Sequence, residues 1–384
     1  AVTVVKSKVS KPFSIFATRS WQLRPRPAEL HAHRAVGRPE NCAMSDYRPV
    51  VLVHGLLSSR VNSDGLMARL APQIREWLPG VYVKEAELGT GRLEGVVTQS
   101  LLATVVPNSL RSAQHRLAQA SSLFVSLDDQ VRELCDVLGR DSRLSRGFNL
   151  VAHSQGALVA RGFVERCGTP PVHSFVSLAG PHAGQFGLPF YAPPERDSLR
   201  AAGLAVAAHL ASRRFYSPAL QPRLSFAQYW RDPFNASAYE GAAFLADLNN
   251  EGPGGPNPAY RRRIAALNSL VLVGFEHDEV VVPRESSVFG FYAPNSSEAI
   301  RPLRRSPLYT RDLLGLAELD ARGALHEAWA DCNHTGPSEI FLRNHVLPFL
   351  NNTLPPPPGD GAARRVRRIL ARGLDGILQA RFDI

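Results

Sequence analysis

Residues 150 to 163, LVAHSQGALVARGF, decide the fold. The stretch opens as an apolar run suited to a buried strand, turns at a lone serine, and continues as the first turns of a helix. Strand, tight turn and helix with small residues on both sides of the serine, here Ala152 and Gly156 around Ser154, form the context of a nucleophile elbow. In that turn the chain reverses so sharply that the hydroxyl stands off the edge of a sheet, where a substrate can meet it. Alanine replaces the first glycine of the usual G-x-S-x-G pattern. The methyl group it adds makes the local motif weaker than a full match.

The neighbouring sequence extends this unit. PVVLVHG (49–55), VYVKEAEL (81–88), HSFVSLAG (173–180) and SLVLVGF (269–275) read as buried strands, and 64–77, 127–139 and 155–167 read as helices between them. Strands that alternate with helices imply a mostly parallel sheet covered on both faces, an α/β architecture. Residues 181–262 break the alternation, are rich in aromatics and proline, and are expected to form a cap-like insertion over the carboxyl edge of the sheet. No internal repeat is visible.

The chain has 384 residues, is 44% hydrophobic and carries a formal net charge of +10. That charge is concentrated at the ends. Residues 1–44 hold 8 Lys/Arg and 2 acidic residues, and 355–384 hold 6 Arg and 3 Asp. The middle is nearly neutral and has no basic face for a phosphate backbone, so nucleic acid is not an expected partner. The organisation read from the chain is a basic extension over 1–46, disordered or targeting, an enzyme domain over 47–353, and a tail over 354–384. The tail begins with the stiff segment LPPPPGD and continues with Arg and apolar residues at helical spacing. It reads either as a solvated basic tail or as an amphipathic helix making peripheral membrane contact. No apolar stretch reaches the roughly 18 residues of a membrane span. The four cysteines lack zinc-ligand spacing.

A serine needs a base, and the base needs a carboxylate to orient it. Asp278 lies three residues beyond the strand ending at Phe275, in the loop at its carboxyl end, with Glu276 and Glu279 as alternatives. His334 falls in a loop between a strand ending near Ala330 and a helix starting about Ser338, whereas His326 and His345 fall inside those elements. Ser154, Asp278 and His334 therefore follow one another in the order this fold uses. The oxyanion donors are expected to be the backbone amides of Gln155, at the start of the helix, and Leu56, after the turn at Gly55. This chemistry calls for no cofactor and no metal.

Taken together, YRPVVLVHGLLSS, LVAHSQGALVARGFVERCGTPPVHSFVSLAGPHAGQFGLP, AQYWRDP, AAFLADLN, SSVFGFYAP, LYTRDLLGL and NHVLPFL resemble the palmitoyl-protein thioesterase family of α/β-hydrolases, most closely its second lysosomal branch. The resemblance runs from about Tyr47 to Asn351. It implies an α/β-hydrolase fold and hydrolysis of fatty acyl thioesters, with an acyl-CoA or an S-acylated peptide or protein as substrate. It assigns the same roles to Ser154, Asp278, His334 and the amides of Leu56 and Gln155, and it implies a disulfide between Cys135 and Cys167. It also implies a lysosomal or secretory lumen, which four N-x-S/T sequons (Asn235, Asn295, Asn333, Asn351) permit. A monomer is expected. Cys42 and Cys332 stay unassigned. Residues 94–126 are longer than the family's usual segment. An acyl groove is expected around Trp230, Phe289 and Phe291, although for any one of these rings ordinary core packing is the favoured reading. Two other readings share these residues: a lipase or carboxylesterase acting on oxyesters, and a hydrolase-fold binding protein without activity.

Overall fold

The alternation of apolar runs and helices closes into six parallel strands in a computed structural model that describes residues 47–55, 65–86, 88, 124–187, 210, 212–242 and 244–353. The expectations for 1–46, Leu56, Cys42, 94–123 and 354–384 lie outside the described residues. The strands of the main sheet are β1 (Val50–Val53), β2 (Val83–Ala86), β3 (Phe148–His153), β4 (Val172–Leu178), β5 (Ser269–Phe275) and β8 (Leu325–Ala330), in the spatial order β2-β1-β3-β4-β5-β8. A two-stranded antiparallel ribbon, β6 (Phe291–Tyr292) with β7 (Ile300–Arg301), lies outside it. Because β1 is flanked by β2 on one side and β3 on the other, successive connections leave it in opposite directions. A crevice opens there at the carboxyl ends of β1 and β3.

Both faces of the sheet are covered, which is why its strands read as near-continuous apolar runs. Val51, Val53, Leu150, Ala152, Phe175, Leu270 and Leu272 pack in one layer with α2 (Leu127–Gly139) and α3 (Gln155–Gly162). The alternate residues Val50, Leu52, Val151, Val176, Val271 and Val273 pack in the other with α1 (Leu66–Trp77) and with Leu342 of α5 (Glu339–His345). Helix α2 starts where Ser126 Oγ accepts the amide of Asp129 (3.1 Å), with Asp128 and Asp129 in its first turn, an N-cap and charge pattern that suits the positive end of a helix. All eight residues of α3 are buried, so this helix has no polar face. Beyond it a π-helical turn (Phe163–Cys167) ends at Gly168 in the left-handed region, and Cys167 is bonded to Cys135 of α2, with Cα atoms 6.2 Å apart.

The described part of the insertion consists of short helices around a ring cluster. Phe186, Phe215 and Phe226 surround Trp230 at centroid distances of 5.5, 4.8 and 5.8 Å. Ser225 Oγ donates to Gln155 Oε1 (2.8 Å), which ties the insertion to the start of α3. α4 (Pro258–Ala265) then leads back into the sheet. At the opposite, amino edge of the strands, Tyr47 pairs with Thr353, and the buried side chain of Asn149 in β3 donates to Asn352 Oδ1 (3.2 Å).

Candidate active site

Ser154 sits between β3 and α3 with φ 55° and ψ −135°, a region that a residue with a Cβ adopts only at a cost the surroundings must hold in place. Its amide donates to Leu178 O of β4 (2.9 Å). Two glycines make room for the turn. A Cβ on Gly55 would stand 2.8 Å from Ser154 Cβ, and one on Gly156 would stand 2.2 Å from the carbonyl oxygen of His54. Ala152 is fully buried in β3, level with Val53 of β1, so the methyl that departs from the usual pattern is accommodated inside the sheet layer.

Loops at the carboxyl ends of β5 and β8 bring two further side chains to this turn. Ser154 Oγ lies 2.9 Å from His334 Nε2, and His334 Nδ1 lies 2.8 Å from Asp278 Oδ2. The network assigns the tautomer: Nδ1–H donates to the carboxylate, which leaves Nε2 to accept the serine proton. Asp278 Oδ1 accepts the amides of Val280 (2.8 Å) and Val281 (3.0 Å), and its side chain is fully enclosed, so both oxygens are held. Glu276 and Glu279, the alternatives read from the chain, are exposed. His326 lies in β8 and His345 in α5, away from this contact. The amide of Gln155 begins α3 immediately after the serine, at the end of the helix where a developing negative charge is favoured.

Several residues that the sequence reading did not single out hold these loops. His153 is buried, its ring packs 4.8 Å from that of His334, and its Nε2–H donates to the backbone oxygen of His334 (3.2 Å). Burial, and then the nearby His334, push its pKa well below the ordinary histidine value, so it acts as a neutral donor. Arg69 of α1 donates to Thr335 O (2.7 Å) on the same loop. Gln185 supports the Asp278 loop: its Nε2 donates to Val280 O (2.9 Å) and its Oε1 accepts the amide of Val282 (3.1 Å). A histidine next to the serine was visible in the chain. Its hydrogen bond to a residue 181 positions away was not.

Cys332, two residues before His334, is a free thiol whose pKa is pushed up to about 11 by burial and by Asp278, Asp331 and Glu276. It stays protonated and is no rival nucleophile. Among the described residues, the exposed side chains of Glu276, His277 and Asp331 are a set that could hold a metal ion, with ligand atoms within 4.8 Å of one another. None of them touches Ser154.

The three rings expected around an acyl groove all lie in the interior. Trp230, Phe289 and Phe291 are 0%, 2% and 6% exposed. Trp230 donates from Nε1 to Ser212 Oγ (2.8 Å) inside its ring cluster. Phe289 stacks on His182 at 4.9 Å. Phe291 borders a cavity of about 460 Å³ with Tyr239, Tyr292 and Arg301, but Ser154, Asp278 and His334 do not line it. Aromatic side chains of the insertion satisfy one another in the core, and composition alone does not separate that packing from a groove.

Residues 49–334, from the start of the sheet to the histidine of this site, match the family model described as palmitoyl protein thioesterase. The chain belongs to that family. As a member it is a thioester hydrolase of the α/β-hydrolase class, a family whose substrates are acylated molecules. Palmitoyl-protein thioesterase 3 of Dictyostelium discoideum is 33% identical over 80% of this chain and 94% of its own length. Palmitoyl-protein thioesterase 1 of Caenorhabditis elegans is 32% identical over 78% and 90%, and lysosomal thioesterase PPT2-B of Xenopus laevis is 30% identical over 79% and 93%. Family members named for either branch thus stand at similar distance from this chain.

Proposed function

We propose that the chain hydrolyses fatty acyl thioesters through an acyl-enzyme on Ser154. The observation that carries this reading is the unbroken hydrogen-bonded series from Ser154 Oγ through His334 to Asp278, at 2.9 and 2.8 Å, in a member of a thioesterase family. Oγ attacks the thioester carbonyl while Nε2 of His334 takes its proton, and Asp278 stabilises the imidazolium that forms. The carbonyl oxygen becomes an oxyanion held by the amide of Gln155, with the amide of Leu56 as the second donor. The C–S bond then breaks. A thiol with a pKa of about 8.5 leaves more easily than an alcohol, and His334 returns the proton to it. Water, deprotonated by the same nitrogen, attacks the acyl-enzyme, the fatty acid departs and Ser154 Oγ is protonated again.

We place the protein in the lysosomal or secretory lumen, as a monomer. Relatives named lysosomal thioesterase, the Cys135–Cys167 disulfide and the exposed sequons at Asn235, Asn295, Asn333 and Asn351 support the lumenal placement. Among the described residues no helix is long and apolar enough to cross a membrane.

The test compares wild type with Ser154→Ala on palmitoyl-CoA and p-nitrophenyl palmitate, alongside labelling by a fluorophosphonate. Loss of one member of such a triad is expected to lower kcat by about 10⁴ to 10⁶ and to abolish labelling, with the melting temperature nearly unchanged. Turnover above a tenth of wild type in the pure variant would remove Ser154 from the mechanism. A kcat/KM higher on the oxyester would instead move the enzyme to the esterases.

A further inference from the structure

Among the described residues, four large apolar side chains are exposed: Phe124 (37%), Leu210 (60%), Phe234 (44%) and Ile340 (73%). The first three flank the ring cluster of the insertion. Leu210 lies two residues before Ser212, whose Oγ accepts Trp230 Nε1–H. The ring of Phe234 lies 6.0 Å from that of Phe186, which packs on Trp230. Phe124 precedes Leu127, whose amide donates to Gln228 Oε1 (2.5 Å), two residues before Trp230. The cluster is in turn fixed to the Asp278 loop, because the amide of Phe186 donates to Val282 O (2.8 Å).

The charge of this region is one-sided. From Leu210 to Arg231 the sequence contains no Asp or Glu. Arg213, Arg214 and Arg223 are exposed there, and among the described residues none has a carboxylate partner. Arg231, by contrast, is paired with Glu251 (3.1 Å). Exposed apolar side chains interspersed with arginines that have no carboxylate partner among the described residues, in a stretch without acidic residues from 210 to 231, have the composition of an interfacial element that lies on anionic lipid.

We propose that the surface of the insertion carrying Leu210, Phe234, Arg213, Arg214 and Arg223, with Phe124 beside it, docks on an anionic bilayer. Docking sets the carboxyl edge of the sheet, and with it Ser154, against the surface in which long acyl chains are dissolved. Membrane binding itself does not depend on the catalytic reading; the consequence for hydrolysis rests on the thioesterase function proposed above.

The experiment uses the full chain without N-glycans, because the sequon at Asn235 adjoins Phe234. Flotation is measured with vesicles of phosphatidylcholine alone and with 30% phosphatidylglycerol, for wild type, Arg213→Glu/Arg214→Glu/Arg223→Glu and Leu210→Gln. Wild type is expected on the anionic vesicles and not on the neutral ones, with binding weakened by salt. Each arginine near such a surface is worth about fivefold in partition. Reversing three should therefore lower binding at least ~100-fold, and Leu210→Gln should lower it several-fold. Hydrolysis of a short, water-soluble thioester should be equal in all three proteins, whereas hydrolysis of a long-chain thioester held in anionic vesicles should fall with binding. If wild type ignores anionic vesicles, or if the triple variant binds as wild type does, the proposal is overturned; the latter result would assign binding to the basic ends of the chain. Wild type that binds vesicles but leaves the soluble thioester intact would overturn the catalytic reading and not the docking face.

Discussion

Gly156→Ala tests how tightly the elbow is built. The added Cβ would lie 2.2 Å from the oxygen and 2.8 Å from the carbon of the His54 carbonyl, and 3.0 Å from Val53 O. All three are backbone atoms at the end of β1, a strand paired on both sides: Val53 is level with Ala86 in β2 and with Ala152 in β3. They have nowhere to go. Relief requires the first turn of α3 to lift by about 1 Å, the scale of the overlap with ordinary van der Waals separation, and Ser154 moves with it. Replacing glycine by alanine in a helix contributes up to about 1 kcal/mol of stability, and overpacking costs about 1–3 kcal/mol. The net loss should stay below about 2 kcal/mol, a few degrees in melting temperature for a domain of this size. A 1 Å displacement of a reacting group costs about 10²-fold in rate, so kcat/KM should fall by about two orders of magnitude in a folded protein. Gly162→Ala on the same helix is the control. Its Cβ would meet Val131 Cγ2 at 2.5 Å, a side chain on α2 remote from the serine, so stability should fall while kcat/KM stays within about threefold. Differential scanning fluorimetry and steady-state assays on a soluble thioester measure both quantities. The reasoning fails if Gly156→Ala keeps more than a third of wild-type kcat/KM, or if the two variants lose activity equally.

Three further outcomes are expected. His153→Phe preserves ring packing but removes the donor to His334 O, and should lower kcat by about tenfold with KM unchanged, while His153→Gln, which keeps an N–H, should recover part of it; equal kinetics in wild type and His153→Phe would deny the positioning role. Stability should peak near pH 6.5. His153 and His182 are buried with pKa values well below the ordinary one, so their contribution is present above about pH 6.5 and lost as the pH falls. Burial pushes the pKa of Glu165, beside Arg161 in the core, up to about 8; its contribution is complete below about pH 4.5 and is lost as the pH rises to 8. Each group changes the slope by at most about 1.4 kcal/mol per pH unit, and urea titrations from pH 5 to 8 that show a monotonic rise would contradict this balance. Finally, Asn333 is exposed next to His334, and its Oδ1 accepts from Thr335 Oγ1 (2.6 Å) and from the Thr335 amide (3.0 Å). A glycan there would crowd the site, so intact mass analysis of active secreted protein should find Asn333 unmodified, and high occupancy with full activity would refute this.

The sheet was legible in the chain because both of its faces are buried, which writes each strand as an apolar run; β3 and β5 fall where those runs lie, and α2 falls where helical spacing places it. The meeting of Ser154 with His334 and Asp278 was legible for a different reason, since loops at the carboxyl ends of parallel strands converge whatever their separation in sequence. Side chains that act through space left no such pattern. His153 ends a strand and Gln185 sits in the loop after β4, neither marked by its local sequence, and their partners lie 181 and 95 residues away. Arg161 of α3 and Glu165 of the π-helical turn after it are both buried, which an i,i+4 spacing of opposite charges does not announce. Trp230, Phe289 and Phe291 show the converse limit: an aromatic residue announces burial but not whether its neighbour is protein or ligand.

The pairing of Tyr47 with Thr353 has a consequence for how this unit can be joined to others. Entry and exit of the chain stand side by side at the amino edge of the strands, with Asn149 and Asn352 bonded just inside, while Ser154 opens at the carboxyl edge. The unit can therefore be grafted as a loop into a host protein, or its ends spliced and the chain reopened elsewhere, without disturbing the serine. Tethering it to a bead or a sensor surface through either end would leave the catalytic edge facing outward.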